Sequence, residues 1–72
     1  MIGEPALEPL IIVLNNKEED WPIRQGAAWA LGDMKNTKAI PPLLIAQGDE
    51  NNYVQEAAIW ALSAISDGSD KI

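Results

Sequence analysis

Eleven carboxylates, five lysines and arginines, and no histidine or cysteine set the chemistry open to these 72 residues. Paired carboxylates act as acid and base, or hold a cation, when they converge on one point. Glu18, Glu19 and Asp20 are consecutive instead, so they point apart. They read as a solvated connector that ends in a helix cap, and Asp49-Glu50 reads the same way. The spaced acids, central glycine and terminal glutamate of a calcium loop are missing. Gly32 and Gly48 are isolated, so no glycine-rich loop is available to cradle a phosphate, and Ser63, Ser66 and Ser69 have no histidine to activate them. Lack of histidine removes the commonest general base and the commonest metal ligand together. Lack of cysteine removes thiolate chemistry, cysteine-ligated zinc and any disulfide. These residues predict no enzyme, no cofactor and no metal.

Binding is what remains, and it depends on how the chain is built. Ala6-Leu-Glu-Pro-Leu-Ile-Ile-Val-Leu returns as Ala39-Ile-Pro-Pro-Leu-Leu-Ile-Ala-Gln at an offset of 33. Ala27, Trp29, Ala30 and Leu31 return as Ala58, Trp60, Ala61 and Leu62 at an offset of 31. The length difference falls in the connector around Asn15–Asp20, as tandem repeats allow. Apolar positions 6, 7, 10, 11 and 14, then 23, 27, 30, 31 and 34, keep the spacing of one helical face. Asp20, Asn36 and Asn51 stand where caps belong, and Pro22, Pro41 and Pro42 fall early in a helix, where a missing N–H costs least. The pattern predicts four helices, near 5–15, 21–34, 38–47 and 52–65. The fold is all-α, one domain over 1–72, with repeats at about 5–35 and 36–66 and a polar tail at 67–72.

Asp20-Trp-Pro-Ile-Arg-Gln-Gly-Ala-Ala-Trp-Ala-Leu-Gly resembles the second helix of a HEAT-like repeat, of the short kind named after phycobilisome lyases. Ala6-Leu-Glu-Pro-Leu-Ile and Ala39-Ile-Pro-Pro-Leu-Leu resemble the first helix of that unit. The resemblance implies a two-repeat α-solenoid, an α–α superhelix whose second helices line a concave surface. Repeats of this kind commonly link an arginine of one unit to an acid of the next. Here Asn51 and Gln55 replace the acid and the arginine of the second unit, which leaves Arg24 without its expected partner at 51. Gln47 takes the place of Leu14, at a position expected in the core.

Two surfaces are candidates for binding a protein. Trp29 lies roughly 200° round its helix from Ala27, beside Gln25, and Trp60 repeats that position beside Glu56. The two indoles either form a ladder facing a groove or pack sideways between the second helices, with Gly26 and Ala57 leaving room. Trp21 has Asn52 as its counterpart, so it is a lid over the connector or an anchor for a partner. The other candidate is the outer side of the first helices, where Ile12, Val13 and Ile45 add apolar surface.

The net charge of −6 gives no footprint for nucleic acid or an anionic membrane. No apolar run nears the ~20 residues of a membrane span, and the first residues lack signal-peptide character. A cytoplasmic chain is expected. A domain this small is marginal without a staple, so a partner chain is the natural remedy. These residues therefore predict a non-catalytic scaffold for a protein partner, completed as a homodimer. The alternatives are an accessory or regulatory subunit of a lyase-type complex, or a piece of a longer repeat array.

Overall fold

The computed structural model describes the backbone of residues 4–70 and the side chains of residues 7–66. It is all-α, with no strand among the described residues. Four helices follow one another: α1 (Glu4–Asn15), α2 (Trp21–Met34), α3 (Ile40–Ala46) and α4 (Asn52–Asp70). They form two antiparallel pairs in two layers, with α2 packed most extensively on α4 and α1 more lightly on α3. The molecule measures 37 × 23 × 16 Å. The expected helix bounds hold to within a residue or two, except that α4 runs on to Asp70 through most of the expected tail. Residues 71 and 72 of that tail lie outside the described residues.

Local chemistry explains where each helix starts. Asn51 caps α4, its Oδ1 accepting from the backbone N–H of Tyr53 at 2.8 Å and of Val54 at 3.2 Å. Asn36 likewise accepts from the Lys38 N–H at 2.9 Å. That cap opens a single 3₁₀ turn, Thr37–Ala39, before α3 begins. The consecutive Pro41 and Pro42 enter the first turn of α3, where they cost no helical N–H bond. Asp20 holds the cap position of α2 with extended backbone, but its side chain makes no capping bond. Pro9 falls inside α1, so the helix lacks one ladder donor there.

The core is aliphatic and small. Leu7, Leu14, Leu31, Leu43, Val54 and Ile65 are buried with alanines 27, 28, 39, 57, 58 and 61. Alanines at the crossing let α2 and α4 lie close, and Gly32 lets them lie closer. A Cβ at Gly32 would stand 2.7 Å from the Trp60 ring and 2.8 Å from the Ala61 Cα. Gln47 departs from expectation. It is exposed, because α3 ends at Ala46 and the chain turns there, with the Gln47 N–H on the Leu43 carbonyl.

Candidate functional site

Arg24 organises the end of the molecule where the two connectors meet. Its Nε donates to the Glu19 carbonyl at 3.1 Å, which ties α2 to the connector before it. Its Nη1 forms an ion pair and hydrogen bond with Asp49 Oδ2, which ties α2 to the connector between α3 and α4. The two side chains are only 9% and 5% exposed. Asp49 also accepts from the Asn51 N–H through Oδ1, at 2.8 Å. The expected acid–arginine link between repeats thus exists, with Asp49 rather than position 51 as the acid. This corrects the reading of Asp49-Glu50 as solvated loop: Glu50 is exposed, Asp49 is not. Repeat spacing could have found it, since Asp49 stands six residues before Gln55 as Glu18 stands six before Arg24. Gln55 keeps half of the arginine's role, its Nε2 donating to the Asp49 carbonyl.

Above this pair the connectors border a cleft of about 680 Å³ whose lining includes Lys17, Glu18, Glu19, Asp20 and Glu50. Trp21 walls one side and stacks on Tyr53, with ring centroids 4.6 Å apart and planes 17° from parallel. Trp21 thus borders the connectors while remaining 37% exposed. Tyr53 was missed because it takes the place of Pro22 in the repeat, where no aromatic is foreseen. Among the described residues no three acidic side chains gather as a metal ion would require.

The remaining candidates fall on two separate sides. Trp29 and Trp60 sit at equivalent places on α2 and α4 and are 49% and 47% exposed. Gln25 beside the first is half-buried, and Glu56 beside the second is exposed. Trp60 rests its ring edge against Gly32, so Gly32 makes the room foreseen at Gly26, which meets nothing within 4 Å. On the first helices Ile12 and Ile45 are 65% and 66% exposed, and Val13 is half-buried. Ala46, which follows Ile45, is buried, while Leu44 joins the exposed apolar surface.

The two-layer helical pairs, joined by a buried arginine–acid link, are matched over residues 2–72 by the HEAT-repeat pattern. The chain belongs to the HEAT-repeat family. It is also 46% identical over 48 residues to the bilin biosynthesis protein PecE of Nostoc sp. (strain PCC 7120). That stretch is 65% of this chain and 19% of PecE, so the HEAT-repeat chain spans about a fifth of that relative's length. Both matches support the short phycobilisome-lyase type of repeat. The likeness to a bilin biosynthesis protein overturns the expectation of no enzyme, which rested on residue types alone.

Proposed function

We propose that this chain is a repeat segment acting in bilin biosynthesis, where it presents the exposed side of α2 and α4 to a protein partner. The observation that carries this is the pair of half-exposed indoles, Trp29 and Trp60, held at equivalent places on adjacent helices. Tryptophan is enriched where binding energy concentrates, because one ring buries a large area at small entropic cost. Gln25 and Glu56 add polar contacts that fix orientation. The likeness to PecE supports the pathway proposed, and the phycobilisome-lyase type of repeat supports a phycobilisome protein as the partner.

Self-association belongs to the same reading. Ile12, Ile45, Leu44, Ile23 and Ile59 are each at least 50% exposed in a chain of 72 residues. A second copy that covers some of them forms a homodimer, most simply across a two-fold axis. Two titrations test the proposal. Light scattering over a dilution series reads the dimer, and calorimetry with purified phycobilisome apoproteins reads the partner. The expected result is a dimer at high concentration and saturable binding that weakens at least tenfold in the Trp29→Ala, Trp60→Ala double variant. Equal binding by wild type and double variant refutes the tryptophan face. A monomer at every concentration refutes self-association.

A further inference from the structure

The repeats make the two ends of the stack comparable residue by residue. The side of α2 that faces α4 carries Arg24, Ala28 and Gly32, all buried, with Ala28 at 0% exposure. At the same places α4 carries Gln55, Ile59 and Ser63, and Ile59 is 50% exposed. The side of α4 that faces α2 carries Val54, Ala57 and Ala61, at most 2% exposed. At those places α2 carries Ile23, Gly26 and Ala30, none of them buried. One end face thus keeps the apolar and small residues of the internal contact, and the other does not.

Sterics turn this difference into a rule. A Cβ at Gly32 would come within 2.8 Å of the Ala61 Cα, and backbone cannot yield as a flexible side chain does. Ser63 has that Cβ, and Ile59 adds three carbons to the site of Ala28. A further second helix therefore cannot approach α4 as α4 approaches α2. On the opposite face a Cβ at Gly26 would meet nothing within 4 Å, and the Ala57 that replaces it inside the stack fits there. Glu18 matches Asp49 in the repeat and is exposed, so an acid is in place for an arriving arginine.

We infer that the stack is open at one end only. The α2 face accepts a second helix pair of the same class, bearing arginine, alanine and glycine where Arg24, Ala28 and Gly32 stand, and the α4 face accepts none. The inference rests on the scaffold reading but not on its partner or its dimer. The α4 face can be rebuilt as a copy of the α2 one with Gln55→Arg, Ile59→Ala and Ser63→Gly. Such a variant offers each copy's open face a matching neighbour, and a head-to-tail contact that does not close grows into a ladder. Light scattering should show its mass rising several-fold with concentration, while wild type stops at a fixed mass. Wild type added to the variant should shorten the ladder, since it docks but offers no further acceptor. Gln55→Arg with Ile59→Ala alone should not grow, because Ser63 keeps its Cβ. A helical triple variant that stays at the wild-type mass overturns the inference, as does an open ladder of wild type. The reverse exchange, Ala28→Ile with Gly32→Ser, needs no assembly. It should abolish cooperative melting, and an unchanged melting temperature also overturns the inference. Failure of phycobilisome proteins to bind, with the ladder intact, refutes only the proposed function.

Discussion

Asp49→Ala removes the acid that joins the two connectors and leaves the Arg24 guanidinium 9% exposed with no counter-charge. Breaking one side of a buried ion pair costs about 3–5 kcal/mol, because the orphaned charge keeps its desolvation penalty. The lost bond to the Asn51 N–H adds about 1 kcal/mol. Lys17, 3.9 Å from Asp49 and 63% exposed, contributes little to the native pair. Small domains hold roughly 5 kcal/mol or somewhat more in all, so this variant should be close to half-unfolded in plain buffer. Urea unfolding followed by circular dichroism measures it. With a slope near 1 kcal/mol per molar, the midpoint should fall by about 4–6 M, so that little or no transition remains. Arg24→Met should cost about as much by stranding the carboxylate. The double variant should cost less than the two singles summed, by about 1–3 kcal/mol. Strict additivity, or a loss under about 1 kcal/mol for Asp49→Ala, would show that the pair does not clasp the repeats.

Three further results are expected. Gly26→Ala should stabilise by up to about 1 kcal/mol through helix propensity, since its Cβ meets nothing within 4 Å, whereas Gly32→Ala should destabilise by about 1–3 kcal/mol through overpacking. Melting temperatures that move in the same direction for both would contradict the assigned packing. Lys35 ends α2 in left-handed backbone, φ 52° and ψ 38°, so Lys35→Gly should raise stability by about 0.5–1 kcal/mol in the same melts, and a decrease would refute it. All three indoles should emit red-shifted light and be quenched by acrylamide, given exposures of 37%, 49% and 47%, and blue, unquenched emission would contradict those exposures.

The helices were legible because their signals are local: apolar spacing, asparagine caps and prolines act within a few residues of themselves. Pairings across the stack were less so. Arg24 had to have an acid, and repeat equivalence named position 51, yet the chain delivers Asp49 because α3 ends early and its exit turn folds the next residues inward. That turn is closed by the Asp49 N–H donating to the Ala46 carbonyl at 3.0 Å, and only the spacing shared with Glu18 hints at it in the sequence. Trp21 was read as either lid or anchor, and its stacking on Tyr53 was not foreseen. Their stacking is set by how far apart α2 and α4 begin, a tertiary distance. The expectation of no enzyme failed for a different reason. A census of side chains speaks only for the residues it counts, and these match about a fifth of PecE.

Equivalent positions also separate surfaces that belong to the ends of the stack from surfaces that run along it. Ala28 and Ile59 differ from 0% to 50% exposure because one is covered by the next repeat and the other is not. Ile23 and Val54 differ from 50% to 0% for the mirror reason. Such residues change surroundings whenever a neighbour is added, so their exposure says little about recognition. Trp29 and Trp60, at 49% and 47%, do not differ, and neither do Ile12 and Ile45, at 65% and 66%. A side chain equally exposed in both repeats lies on a flank of the array rather than on one of its end faces. A partner can therefore read the tryptophan flank and the isoleucine flank without competing with stacking. Indole carries more area per rotatable bond than isoleucine and has a polar N–H to orient it. On that ground we propose the tryptophan flank as the recognition surface, and the isoleucine flank as the one a second copy covers without blocking it.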